Sequence, residues 1–501
     1  MDAVNHDAKL VEDIWSGFQP LRTADEYIAS LRNRPLNVYM LGEKVGDIVD
    51  DPVIFPSINA MAETYRLAEE NPALATTKST LTGQPVNRFL QIAGGPDDLV
   101  GKHEMQRELG RRTGTCFQRC VGLDAINSLH SVTYDIDQDS GADYHQRFLA
   151  FLKRVQENNL VIAGAMTDPK GDRSKAPHEQ SDADLFLHVT KRDEKGIYVS
   201  GAKMHQTGTL NSHWIIFMPT LRMGEKDKDF SVVGAVPVDA GGLTYIYGRQ
   251  SCDTRAVDGG DIDAGNAKYS GQEVTIIFED VFVPHAHVFM DGEFQFAADL
   301  VERFTAYHRA SYVCKTGLGD VLTGAAAQAA DYNGVARVSH IKDKLVEMTH
   351  LNETIYSSSM ASAYRAEKMP SGVWQNDTML ANICKHNVTR FPYEISRIAQ
   401  DIAGGLMVTM PSEKDLENEE TGDLVRKFLQ GRDGTDPVDR MKILRLIENM
   451  TLGRNAVGYL TESMHGAGSP QAQRILIARL AELEDKKSRA KHLAGIQADT
   501  E

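Results

Sequence analysis

Two stretches far apart in the chain hold the side chains best suited to chemistry. One is Cys116-Phe117-Gln118-Arg119-Cys120, the other Tyr307-His308-Arg309-Ala310-Ser311-Tyr312-Val313-Cys314-Lys315. The chain has five cysteines in 501 residues, and three of them fall in these two places. A CxxxC pair, a further cysteine and a histidine are donor types that hold a metal ion or an iron–sulfur cluster. At i and i+4, Cys116 and Cys120 would lie on one helix face about 6 Å apart, a workable separation for two thiolates on one cluster. His308 and Cys314 are i and i+6. At about 100° per residue an unbroken helix turns such a pair roughly 120° apart, so the helix is expected to be broken or bulged between them. Taken alone, a CxxxC is more often two buried small hydrophobes than a metal site, and a single histidine is more often a satisfied core or surface residue. Cys252 and Cys384 have no partner pattern and read as structural.

The body that must position these residues has ordinary globular composition. It is 25% charged and 42% hydrophobic, enough chain for two or three cores. A formal charge of −16 argues against a general nucleic-acid binder or a membrane-surface protein. An odd number of cysteines without regular spacing makes no disulfide framework. The first residues lack a basic segment followed by an apolar one, and no apolar run approaches the ~20 residues of a membrane span. The reading is a reduced, cytoplasmic, soluble protein.

In chain order, residues 1–157 read as mainly helical. Thr23 with Glu26 forms a capping-box signal ahead of Ala24–Leu31, Ile58–Ala68 has apolar spacings of three and four, and one helix is expected to carry both Cys116 and Cys120 between Leu99 and Asn127. Residues 158–288 change texture. Short runs rich in β-branched and aromatic residues (196–200, 213–218, 230–236, 243–247, 274–278) are separated by turn signals and read as a compact β domain. Residues 289–501 return to long helical periodicity over 294–331, 336–368, 377–403 and 440–467, with an acidic, Gly-interrupted insertion at 412–440. No G-x-G-x-x-G follows a strand, so a Rossmann cofactor site is not indicated.

Helices, a β domain and a helical bundle, an α+β arrangement, is the order of the acyl-CoA dehydrogenase architecture. Met166-Thr167-Asp168-Pro169-Lys170-Gly171 looks like the flavin-side loop of that fold, Ser200–Gly208 like the strand that brings a threonine to the isoalloxazine, and Ile277–Pro284 like the closing strand. A closer resemblance covers nearly the whole chain. Cys116–Gly122, Ala165–Arg173, Tyr247–Arg255, Tyr307-His308-Arg309, Asp401–Met407 and Thr461–Ser469 are similar to segments of the 4-hydroxyphenylacetate 3-monooxygenase flavoprotein family, in the branch that dehydrates 4-hydroxybutyryl-CoA. The monooxygenase branch shares the fold but lacks the cysteines. In the dehydrating branch the interval between the histidine and the last cysteine is one residue longer than here.

The resemblance implies that Cys116, Cys120, His308 and Cys314 ligate a [4Fe–4S] cluster beside FAD. It implies flavin contacts at Thr207, Gln206, Met166, Thr167, Asp168, Gly404 and Gly405. His308 and Glu462 become acid/base candidates, with support and orientation from Tyr312, Glu273, Lys315 and Gln118. Read without it, Glu273 and Glu462 could be salt-bridge partners, Tyr312 packing, and Gly404-Gly405 a helix cap. The implied reaction takes 4-hydroxybutyryl-CoA to crotonyl-CoA by a ketyl-radical route, with isomerisation of vinylacetyl-CoA as a companion activity. Its difficulty is the C3 proton, which the thioester does not acidify. Transient one-electron oxidation by flavin would make it acidic, and an iron carrying a weak histidine ligand would act as Lewis acid on the leaving hydroxyl. The fold resemblance implies a homotetramer acting on a small acyl-CoA. The rival readings are an FAD-dependent aromatic hydroxylase fed by a separate reductase, a plain acyl-CoA dehydrogenase, and a structural metal site in a helical scaffold.

Overall fold

The computed structural model describes residues 2–496. Seven helices precede the main strand region: α1 (Asp2–Trp15), α2 (Ala24–Ser30), α3 (Phe55–Glu70), α4 (Pro72–Ala75), α5 (Pro96–Thr113), α6 (Cys120–Ser140) and α7 (Tyr144–Asn158). The capping box at Thr23 and Glu26 is formed. This region is not only helical. β1 (Val38–Met40) and β2 (Glu43–Lys44) lie between α2 and α3, and β3 (Thr76–Lys78) pairs with β4 (Pro85–Asn87). Pieces of two or three residues are too short for a period-2 signal. What makes β1 a strand is its parallel partner far along the chain.

Each expected strand is present, as β7 (Gly196–Thr207), β8 (Trp214–Phe217), β9 (Val232–Pro237), β10 (Leu243–Tyr247) and β11 (Glu273–Pro284); the structure adds β5 (Ile162–Ala165), β6 (His188–Asp193) and β12 (Val288–Asp291). They form a six-stranded sheet in the order β2-β1-β10-β11-β7-β6 and a four-stranded sheet in the order β12-β9-β8-β5. β5 and β8 run parallel and are buried along their whole length, as unbroken apolar runs should be. β10 alternates, with Leu243, Tyr245 and Tyr247 inward.

The helices that follow are α8 (Ala297–Ser311), α9 (Cys314–Tyr332), α10 (Ser339–Tyr364), α11 (Thr378–Val388) and α12 (Phe391–Ala403). Two helices read as continuous are interrupted. The 377–403 segment breaks at Thr389–Arg390, and Pro392 stands in the first turn of α12, where its missing N–H costs no helix bond. The 440–467 segment is regular over Pro437–Thr451, then passes through a π-turn at Val457–Thr461 before a last turn at Glu462–His465. The 412–440 insertion holds short helices at Glu413–Glu417 and Gly422–Phe428. No described helix is long and apolar enough to cross a membrane.

Two local departures build the site. The single helix expected to carry Cys116 and Cys120 is in fact two. α5 stops at Gly114, which is left-handed with φ 60°, and Gln118 is left-handed too, with φ 65°. Cys116 therefore sits in a loop and Cys120 opens α6, so they do not share a helix face. The loop is fixed from inside: the Gln118 amide donates to the carbonyls of Ser57, Cys116 and Ser270, and Arg119 is buried against the rings of Tyr65 and Phe89. The second departure is the expected break between His308 and Cys314. α8 ends at Ser311 and α9 begins at Cys314, joined through Val313, Lys315 and Thr316 N–H groups that bond three residues back. Tighter winding adds about 20° per residue over an α-helix, which turns Cys314 back toward His308.

α5 and α9 touch backbone to backbone. A Cβ on Gly317 would lie 2.1 Å from the Arg107 carbonyl oxygen, and one on Gly110 would lie 2.6 Å from that of Cys314. Gly317→Ala must push the helices apart, so thermal unfolding of the variant is expected at lower temperature, by the equivalent of about 1–3 kcal/mol for an overpacked contact. An unchanged unfolding temperature would show that the contact is looser than these distances require.

Candidate active site

The three cysteines lie together where α5, α6 and α9 meet, and His308 joins them through Asp124, which it bonds and whose charge acts on Cys120 and Cys314. The Cys314 thiol is held below its ordinary value by a hydrogen bond with Cys120, and the Lys315 charge adds to this. Burial pushes the Cys120 and Cys116 thiols well up. The Gln106 amide donates to Cys120 Sγ at 3.2 Å. Cys116 Sγ lies 4.0 Å from Glu462 Oε1. His308 Nδ1 is 2.8 Å from Asp124 Oδ2. Asp124 is fully buried, and its other oxygen accepts from Lys102 Nζ and Ser311 Oγ, each at 3.0 Å.

Beside the thiols stands a set of buried charges. Lys315 Nζ pairs with Glu462 Oε2 at 2.6 Å. Burial draws the Lys315 ammonium down, but Glu462 and the thiols outweigh this and leave it raised. Tyr312 O–H donates to the Glu462 carbonyl at 3.4 Å, and burial lifts its pKa well above the ordinary phenol value. Lys385 is buried, donates to the Ser463 carbonyl, and lies 3.9 Å from the centre of the Tyr312 ring. Burial, then the neighbouring Lys315, drives its pKa well down. Across the site Thr207 Oγ1 donates to Glu273 at 2.8–2.9 Å. Burial, then the Glu462 charge, lifts the Glu273 carboxyl well above its ordinary range.

The other residues expected from the sequence are placed around this centre. Met166 O and Asp168 Oδ1 both accept from the buried Lys203 Nζ, at 2.9 and 2.7 Å. Thr167 O accepts from Met204 N at 2.7 Å, so the loop after β5 is tied to β7. Gln206 donates to the Met204 carbonyl. Gly404 and Gly405 are exposed at the end of α12, with Gly404 at φ 79°. Near the loop, Lys170, Arg173 and His465 all act on His205; after burial these charges are what lower its pKa. Among the described residues none of the four makes a salt bridge.

Lys102, Gln106, Asp124, Lys203 and Lys385 were not read from the sequence as site residues. One signal was there: Lys102, Gln106 and Gly110 fall at i, i+4 and i+8, a polar stripe on a helix whose face is buried. Asp124 and Lys385 carry no such mark, because their partners come from other helices.

The donor set was tested against the expected cluster. Among the described residues no three His, Cys, Asp or Glu side chains sit close enough to hold a single metal ion. A cluster spreads its ligands over several irons, and its chemistry asks for thiolates with an occasional imidazole. Three thiols and a histidine whose Nδ1 is tied to a buried carboxylate fit that requirement, and the carboxylate–histidine pairing is the one metal-bound histidines use. For a flavin the fit rests on Thr207, half-buried at the end of β7, and on Lys170 and Arg173, which make no salt bridge among the described residues and suit phosphates.

Residues 23–290 match the model for the 4-hydroxyphenylacetate 3-hydroxylase N-terminal family, and residues 297–495 match that for its C-terminal part. The chain is 54% identical over 489 residues, 95% of its length and 100% of the relative, to 4-hydroxybutyryl-CoA dehydratase/vinylacetyl-CoA-Δ-isomerase of Clostridium aminobutyricum. It is 66% identical to the solved oxygen-tolerant archaeal 4-hydroxybutyryl-CoA dehydratase from N. maritimus, with a TM-score of 0.95 and 96% of each chain covered. The oxygenase component of 4-hydroxyphenylacetate 3-monooxygenase, solved with FAD, shares the fold at a TM-score of 0.83 and 22% identity, covering 94% of this chain and 98% of that one.

The Glu273 carboxyl gives a pH test. Its folded value is raised, so its contribution to stability is complete below the ordinary carboxyl value of about 4.3 and is lost as pH rises through the folded value. Glu273→Gln keeps an acceptor for Thr207 and cannot ionise. The unfolding temperature of the wild type should therefore fall relative to the variant as pH increases. Parallel curves from acid to neutral pH would mean that Glu273 ionises as an ordinary carboxyl.

Proposed function

The chain belongs to the 4-hydroxyphenylacetate 3-hydroxylase family, and from that premise we propose that it dehydrates 4-hydroxybutyryl-CoA to crotonyl-CoA and isomerises vinylacetyl-CoA to the same product. The observation that carries the proposal is the meeting of three thiols and a carboxylate-bound histidine beside the Lys315–Glu462 and Thr207–Glu273 pairs. Cys116, Cys120, Cys314 and His308 would hold a [4Fe–4S] cluster, and Thr207, Gln206 and the 166–168 loop would border FAD. When bound, the flavin supplies one-electron oxidation and its reversal, and the cluster supplies a Lewis acid for the leaving hydroxyl.

The net chemistry removes hydroxide from C4, takes protons from C2 and C3, and returns one proton to C4. This asks the protein for both an acceptor and a donor of protons. His308 Nε2, the nitrogen Asp124 leaves free, would be one acceptor once released from its role as ligand. Glu462, held by Lys315, is the second acid/base group. Burial, then the Glu462 charge, raises the Glu273 carboxyl and so favours its protonated form. Two carboxyl groups in unlike surroundings divide the acid and base work. Tyr312, Lys315 and Gln118 orient: Tyr312 and Lys315 fix Glu462, and Gln118 fixes the Cys116 loop. Lys170 and Arg173 suit the phosphates of FAD or of the CoA ester. By the same family argument the enzyme is a cytoplasmic homotetramer.

Protein purified without oxygen should contain about four iron, four sulfide and one FAD per subunit, and should form crotonyl-CoA with no added electron acceptor and no oxygen. Cys116→Ala should lose iron and turnover while keeping its fold by circular dichroism. Flavin without iron, or turnover that depends on oxygen and a reductase, would return the chain to the hydroxylase reading; full activity in Cys116→Ala would remove the cluster role.

A further inference from the structure

Next to the site, Asp124 accepts from three side chains, and the proposed chemistry gives it no role of its own beyond its contact with His308. It is fully buried on α6. One oxygen accepts from Lys102 of α5 and Ser311 of α8, and the other faces His308 Nδ1 of α8 at 2.8 Å. A carboxylate this buried requires a cation, and Lys102, itself 5% exposed, meets that need at 3.0 Å. His308 is therefore needed only as an N–H donor. The Nδ1 proton is fixed by an acceptor that cannot donate, which in the neutral imidazole leaves the lone pair on Nε2. The ring is held in place as well, 5.1 Å from Phe304 and 5.3 Å from Tyr312 between centroids.

We propose that Asp124 is the positioning residue for His308: with Lys102 and Ser311 as its anchors, it sets the imidazole to the Nδ1–H tautomer and turns Nε2 toward the thiols as the donor atom. This rests on the ligand role proposed above for His308. A carboxylate that served only to staple α5, α6 and α8 together would need Lys102 and Ser311, but not the choice of tautomer.

Asp124→Asn tests the difference. An asparagine whose oxygen takes the Lys102 and Ser311 bonds presents an N–H to His308 Nδ1, and so forces the proton to Nε2. Two readouts are used. The first is the 15N chemical shifts of His308 in the iron-free full-length protein, assigned by their loss in His308→Ala. The wild type should show Nδ1–H and D124N should show Nε2–H. The second is the rate of iron loss to a ferrous chelator from the anaerobically reconstituted protein. D124N should lose iron on the order of ten- to hundredfold faster, the usual effect of removing a metal-bound histidine's partner. The double variant D124N/H308A should be no faster than H308A, because Asp124 acts through His308.

An Nε2–H tautomer in the wild type overturns the proposal. So does D124N with wild-type iron retention, or a double variant in which the two effects multiply. Should D124N not fold, the wild-type tautomer decides alone. A wild type that takes up no iron would instead sink the proposed ligand set, and the tautomer measurement would still decide the role of Asp124.

Discussion

Helix backbones can approach within contact distance only where neither helix carries a side chain. α5 and α9 do this at Gly110 and Gly317, where added Cβ atoms would fall inside the opposite backbone. The composition of the site follows from this contact. α9 begins at Cys314 and Lys315, so bringing its first turn against α5 sets both beside the stripe formed by Lys102, Gln106 and Gly110. Gln106 then reaches Cys120, and Lys102 reaches Asp124. One turn further on, the Arg107–Asp320 pair at 2.9 Å clamps the same two helices from the side. A side chain at either glycine would separate the thiol of Cys314 from that of Cys120 before it affected either residue directly.

The electrostatics follow a similar economy. The chain carries a net charge of −16, yet the groups buried around the site include Lys102, Lys315, Lys385 and Arg309. The carboxyls beside them are Asp124, Glu462 and Glu273, and burial lifts the last well above its ordinary range. Buried ammonium groups are costly unless paired; Lys385 has only a carbonyl and the Tyr312 ring face, and burial, then Lys315, drives its pKa well down.

How far the sequence disclosed this depended on the range of the interaction. Strands whose identity lies in their own residues, such as Trp214–Phe217 and Leu243–Tyr247, were legible. Val38–Met40 was not, because its pairing with Tyr245 and Ile246 makes it a strand. The break between His308 and Cys314 could be deduced from spacing alone, since both side chains had to face one place. The break between Cys116 and Cys120 could not. It depends on left-handed geometry at Gln118, a residue type that seldom adopts it, held there by the carbonyls of Ser57 and Ser270. Asp124 carries no mark in the sequence, because its pairing with Lys102 spans two helices.

The last element to place is Glu462, and it arrives by the least regular route. The periodicity over 440–467 suggests a continuous helix, whereas the chain leaves α-helical geometry at Leu452 and enters a π-turn at Val457–Thr461. A π-turn spends an extra residue per turn and gives up regular hydrogen bonds, so it persists where its neighbours fix it. Here the fixing groups are on other helices: Lys385 takes the Ser463 carbonyl, Tyr312 the Glu462 carbonyl, and Lys315 the Glu462 carboxylate. Three side chains from α9, α11 and the α8–α9 turn thus hold two consecutive residues. In an unbroken helix the carboxylate would have pointed elsewhere by the phase of about one residue, roughly 100°. The irregular turn, not the helical pattern on either side, is what brings Glu462 to Lys315 and within 4.0 Å of Cys116.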